Sequence, residues 1–217
     1  LSLSDALPFL FLPFVILFFS TPAVALMKDS TDSWWVWDKE IVNVTLVTSY
    51  TTDQLEEITE AVTSEEFFMI EDNLMHKDRP GVYSPYYLGW QGALNNTNAT
   101  TPKLNFQVST SGDIVIELTN MEHPKGYSGL TTRNLDKDGN ISRAQITIFN
   151  VNKINNNNLY TIVLHEMGHA LGIGHTTADE ELMHPLITTA YPYVSPCTMQ
   201  ALEFAYTEGP GEVKCLK

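Results

Sequence analysis

The chain has 217 residues, with 12 Lys plus Arg against 26 Asp plus Glu and a formal net charge of −14. Hydrophobic residues make up 43% and charged residues 18%, which excludes a disordered chain and supplies apolar material for one domain with its own core. The acidic balance excludes a nucleic-acid binder that works by neutralising phosphates. A cysteine count of 2 excludes a disulfide scaffold, and no long-period repeat points to a solenoid.

Ala6 to Phe19 (ALPFLFLPFVILFF) is apolar and uncharged. As a helix it rises only about 21 Å, short of a hydrocarbon core of about 30 Å, and Pro8 and Pro13 weaken it further. Ala23-Val24-Ala25 has the small-x-small pattern of a signal-peptidase site, so residues 1–25 are expected to be a signal peptide and 26–217 a single domain. Asp5 has the wrong sign for such a segment, and a retained membrane anchor is the alternative reading. Sequons at Asn43, Asn95, Asn98 and Asn140 add weak support for export.

Residues 26–39, with Trp34, Trp35 and Trp37, are expected to dock as an arm, its tryptophans serving as a buried anchor rather than a carbohydrate platform. The β-branched alternation of Glu40–Tyr50 predicts a strand. Leu55, Ile58, Ala61, Val62 and Phe68 then recur at helical spacing, predicting a helix that begins behind Thr51–Asp53 and continues to about Glu71. Leu74–Tyr87 reads as loop, Gly89–Leu94 as a short helix, and Leu104–Thr110 and Asp113–Thr119 as strands joined at Ser111-Gly112. His123–Gly129 reads as loop and Ile141–Phe149 as a strand. The run Asp136-Lys137-Asp138-Gly139 resembles part of a calcium loop but lacks its other oxygen ligands and distal Glu, so calcium is unsupported and a tight turn is expected. Asn158 is a candidate N-cap for a buried helix over Leu159–Leu171, and a last helix is expected near Thr198–Tyr206. Cys197 and Cys215 are expected to form a disulfide closing the C-terminal segment. The order implies an α/β or α+β fold, with α+β preferred, around a twisted mixed sheet.

The chemistry concentrates in HEMGHALGIGH, His165 to His175. Two histidines four apart on a helix project from one face and can meet one ion. Neutral imidazoles suit zinc, and Gly172 can end the helix so that His175 returns as a third ligand. Three neutral ligands leave zinc an open position, as in catalytic rather than structural sites. Glu166, about 100° round the helix from His165, is poorly placed as a ligand but can reach a water on the metal as general base.

HEMGHALGIGH resembles the HExxHxxGxxH signature of the metzincin zinc endopeptidases, most closely the matrixin branch. Met183 in Glu181-Leu182-Met183-His184-Pro185 matches the Met-turn of that family, which lies beneath the zinc. The resemblance implies a metzincin-like zincin domain with an active-site helix and a C-terminal helix after the Met-turn. It further implies zinc ligands His165, His169 and His175, general base Glu166, and hydrolysis of peptide bonds by a zinc-activated water. The strand near Ala144–Phe149 would form the upper rim of the cleft, binding extended peptide or protein substrates by strand addition. Leu186–Tyr191 would wall the pocket for the side chain after the scissile bond, and Tyr191 or Tyr193 is more readily a packing residue than an oxyanion donor. Neither cysteine lies upstream of the catalytic helix, so a cysteine-switch propeptide is not expected. His184, directly after Met183, is expected to face solvent rather than ligate, and His76 and His123 lack ligand spacing. The expected protein is a secreted, monomeric endopeptidase that contacts a membrane only if the N-terminal segment is retained; an exported, non-catalytic zinc-binding surface or matrix protein is the alternative.

Overall fold

Val42, Val44 and Leu46 alternate inward along the first long strand, and each is completely buried. The computed structural model describes residues 30–72, 79–188 and 192–214. In chain order its elements are β1 (Ser30–Ser33), β2 (Ile41–Leu46), α1 (Thr52–Thr63), β3 (Phe67–Glu71), β4 (Tyr83–Tyr87), α2 (Trp90–Asn95), β5 (Lys103–Val108), β6 (Ile114–Leu118), β7 (Gly129–Leu135), β8 (Ile141–Ile148), α3 (Asn156–Ala170), β9 (Ile173–Thr176), α4 (Pro196–Thr207) and β10 (Gly211–Lys214). The five-stranded sheet has the order β5-β2-β6-β8-β7. Its first four strands are parallel, and β7 joins β8 antiparallel. This is the expected α+β mixed sheet.

β5 and β6 do not form a hairpin across Ser111-Gly112. They flank β2 on either side, both parallel to it, and the short link between them passes over that strand. The contacts of the link follow from this path: Thr45 Oγ1 donates to the Ser109 carbonyl at 3.2 Å, and the Asp113 amide donates to the Asn43 carbonyl at 2.8 Å. Asn43, the first sequon, lies within β2, where its side-chain amide donates to Asp113 at 3.1 Å.

α1 opens with a capping box in which the Gln54 amide donates to Thr51 Oγ1 and the Thr51 amide to the Gln54 side chain. It stops at Thr63, short of the expected Glu71. The buried stripe ends with Ala61 and Val62, and Phe67–Glu71 instead pairs antiparallel with Tyr83–Tyr87, a segment expected as loop. Phe67, Phe68 and Met69 are exposed and Ile70 is buried, so the buried stripe of α1 does not continue into this segment.

α3 is capped by Asn155, whose Oδ1 accepts the Asn158 amide at 2.9 Å, so the expected cap at Asn158 lies inside the helix. From Val163 to Ala170 nearly every residue is buried, against α1 and the five-stranded sheet. Trp90, also fully buried, donates its indole N–H to the Leu164 carbonyl at 2.7 Å. The helix ends because Gly172 takes φ +104°, a conformation that a side chain resists. β9 follows at once, and β1 lies between β9 and β10 in a three-stranded antiparallel sheet. The arm is therefore held by hydrogen bonds as well as by Trp37, which is buried and donates its indole N–H to the Ala170 carbonyl at 2.9 Å.

The apolar segment of residues 6–19, His76, Tyr191 and Cys215 lie outside the described residues, and with Cys215 so does the expected disulfide. Among the described residues no helix is long and apolar enough to cross a membrane.

Gly172→Ala would set a methyl 2.5 Å from the Trp35 carbonyl oxygen, in addition to the unfavourable φ. Such a substitution is expected to cost about 2–4 kcal/mol and to lower the melting temperature by several degrees, read by thermal denaturation. A variant as stable as the parent would show that the end of α3 is not held in this conformation.

Candidate metal centre

The last two turns of α3 carry His165 and His169, four residues apart on the same face, and the turn at Gly172 brings His175 round on β9 to meet them. One ligand atom from each lies within 4.8 Å of the other two. The rings sit at angles to one another, His165 and His169 edge to face at 4.7 Å and His169 and His175 likewise at 4.7 Å. His165 and His169 are buried and His175 is exposed, so the cluster opens to solvent at the third histidine.

Main-chain carbonyls orient two of the rings. His165 Nδ1 donates to the Leu182 carbonyl at 2.8 Å and His169 Nδ1 to the Ile173 carbonyl at 2.8 Å. Each bond puts the ring proton on Nδ1 and leaves Nε2 with a lone pair directed at the cluster. His169 Nε2 faces His175 Nε2 at 3.2 Å. Tetrahedral coordination at about 2.0–2.1 Å separates ligand nitrogens by about 3.3–3.4 Å. The donor set, three neutral nitrogens on converging vectors, therefore fits zinc. Burial lowers both buried imidazoles, His165 to about 4 and His169 well below its ordinary value, so both are neutral and ready to ligate at physiological pH.

Met183 is completely buried beneath this helix. Gly168 gives it room, since a methyl there would lie 2.6 Å from the Met183 sulfur and 2.8 Å from the Trp90 ring. The floor expected of a Met-turn is thus in place, and the same turn supplies the Leu182 carbonyl that orients His165. Buried Glu181 anchors the turn from the other side by accepting a very short hydrogen bond from Ser195, the N-cap of α4.

Glu166 faces the same cleft as the histidines. Its Oε2 accepts the Thr131 hydroxyl at 2.6 Å. Burial pushes the carboxyl up to about 7, with the Thr131 bond pulling the other way, and a divalent cation at the histidines would further favour the carboxylate. The chain at Gly129 passes so close that a methyl there would lie 2.5 Å from Glu166 Oε1.

The cleft encloses about 860 Å³ and has β7 on one side and Pro185–Ile187 among its other walls. Here the structure corrects the expected rim. Ala144–Phe149 belongs largely to β8, which is paired on both sides by β6 and β7 and has no free edge to offer an added strand. The rim is β7, which among the described residues pairs only with β8. Its sequence, GLTTRNL, has little apolar content, and only the paired threonines could have signalled a strand.

Thr131, Gly129, Trp34 and Arg133 are the members of the site that sequence reading missed. Trp34, from the arm, stacks on His169 with centroids 5.3 Å apart, and Arg133 of β7 lies 4.0 Å over the Trp34 ring. The remaining candidates stay away from the metal cluster. His123 stacks on Tyr127 at 4.6 Å, and His184 Nδ1 lies 2.9 Å from the Leu186 carbonyl. Tyr193 packs against Phe68. Asp136 closes a tight turn by accepting the amides of Asp138 and Asn140, both at 2.9 Å.

The matrixin family model matches residues 89–196, from the N-cap of α2 to the first residue of α4. The match spans the whole of α3, the three histidines and the turn at Met183, in a family of zinc-dependent metallopeptidases. By this match and by the architecture that carries it, the chain is a matrixin-like metzincin.

Proposed function

We propose that the chain is a zinc-dependent endopeptidase in which His165, His169 and His175 hold the ion and Glu166 is the general base. The observation that carries this reading is the pinning of two imidazoles by main-chain carbonyls, with their free nitrogens converging beside a buried carboxylate. Zinc, when bound, supplies Lewis acidity toward water and toward the carbonyl of a peptide bond. Thr131 occupies Glu166 Oε2, which leaves Oε1 to take a proton from the attacking water and return it to the nitrogen of the leaving amine. An extended substrate lies along β7, exchanging main-chain hydrogen bonds with the edge that β8 does not use. The wall at Pro185–Ile187 shapes the pocket for the side chain that follows the cleaved bond. The protein works outside the cell, with residues 1–25 a cleaved signal peptide and 26–217 one catalytic domain acting as a monomer on peptides and proteins.

Glu166→Ala is expected to keep zinc and the fold while turnover falls by about 10²–10⁴-fold, the contribution of a positioned general base. Metal content and circular dichroism, read beside peptide cleavage, check this, and undiminished hydrolysis would remove Glu166 from the role. A chelator is expected to abolish cleavage and added zinc to restore it. Zinc content with no cleavage of any peptide in a broad library would identify a non-catalytic zinc-binding protein instead.

Activity is expected to fall in acid as Glu166, whose carboxyl burial raises to about 7 and a bound cation would lower, takes up a proton and is lost as a base, while the buried imidazoles stay neutral to lower pH. A rate that stays level down to about pH 4 would remove Glu166 from the role.

A further inference from the structure

Arg133 combines partial burial with the lack of a counter-ion. Acidic residues outnumber basic ones by 26 to 12, and among the described residues Lys39, Arg79, Lys137 and Lys153 form ion pairs, while Lys103, Lys125, Arg143 and Lys214, which form none, are exposed. Arg133 has no carboxylate partner among the described residues, although it is half-buried and burial pulls its pKa down. A guanidinium that has lost water without gaining an anion gains more than an exposed one from a carboxylate brought to it.

Its setting faces it toward substrate. Side chains two apart on a strand share a side, so Thr131 and Arg133 both point from β7 toward α3. Thr131 meets Glu166, while Arg133 donates from Nη1 to the His169 carbonyl at 3.2 Å. That one bond uses one of five guanidinium donors. The flat face of the group is braced 4.0 Å over Trp34, which fixes the fork without consuming the others. Arg133 lines the cleft at its His169 end, whereas Thr161 and Asn158 lie about 12–16 Å back along α3. Among the described residues Glu166 is the only carboxylate that lines the cleft with it.

We propose that Arg133, braced on Trp34, is a substrate-recognition residue that binds the carboxylate of an acidic side chain in an extended peptide. Thr131, level with Glu166, and Arg133 are two residues apart on β7, or about 6.6 Å, so the acid stands two or three residues from the scissile bond on the His169 flank. The location relative to a scissile bond rests on the peptidase reading above; the binding of an acidic peptide does not. A rival role, in which Arg133 only steadies Trp34, would make it indifferent to the charge of the substrate.

The test uses the zinc-loaded full chain and paired peptides that differ only as Glu or Gln at each of the three positions on either side of the cleaved bond. At one position Glu is expected to raise kcat/KM about tenfold or more over Gln, and Arg133→Gln to bring that ratio to about one. The same pairs are titrated against the Glu166→Ala variant, where the Glu peptide is expected to bind about tenfold tighter and to lose that advantage when Arg133→Gln is added. Cleavage without a Glu preference, a preference that survives Arg133→Gln, or an equal loss on both peptides would overturn the assignment and leave the peptidase reading intact. No cleavage, but a binding preference that depends on Arg133, would do the reverse. If Arg133→Gln does not fold, Arg133→Lys decides, since an ammonium without the planar fork should keep only part of the preference.

Discussion

Two hydrogen bonds from imidazole Nδ1 to main-chain carbonyls, His165 to Leu182 and His169 to Ile173, are the constraint on which the rest of this molecule depends. Each bond selects a tautomer, and the tautomer decides where the lone pair points. For the carbonyls to arrive where they do, α3 must stop at Ala170, the chain must reverse through Gly172, and the Met183 turn must tuck beneath the helix. The fully buried Trp90 and Met183 crowd Gly168 so closely that even one methyl has no room there. The histidine cluster is thus held from below by packing and from the sides by backbone.

The arm before β2 belongs to this arrangement as well. β1 lies between β9 and β10, so the strand that carries His175 is paired to the arm rather than to the five-stranded sheet. Trp34 then stacks on His169 while the Trp37 indole donates to the Ala170 carbonyl, placing two tryptophans from one short segment against the end of α3. An arm expected as a plain anchor is an anchor at Trp37 and a wall of the cleft at Trp34. Trp35, between them in sequence, is exposed.

The site was more legible than the fold around it. The imidazoles and Glu166 stand in one short stretch, where helix periodicity and one glycine suffice to bring them together, and the structure brings them together. Strand pairing was less legible, because it depends on contacts between distant segments. The hydrophobic spacing that continued α1 to Phe68 could not reveal that Tyr83–Tyr87 offers a partner to Phe67–Glu71. The Ser111-Gly112 link looks like a hairpin until β2 is seen passing between the strands it joins. The family resemblance points to the strand near Ala144–Phe149 as the rim, but β8 is paired on both sides and the rim falls to the more polar edge strand β7. A strand that must keep one edge exposed cannot be as apolar as one paired on both sides.

From the order of its residues alone, this chain determined a helix bearing two histidines on one face, a reversal at Gly172 that returns a third, and a carboxylate beside them. Those features are local, governed by backbone periodicity over a few turns. Tertiary structure alone decided which carbonyls orient the rings, which hydroxyl holds Glu166, which strand borders the cleft, and that Trp34 and Arg133 stand within it. Each of those is a meeting of segments far apart in sequence, and no local preference encodes it, because the energy that selects it comes from packing the whole core at once.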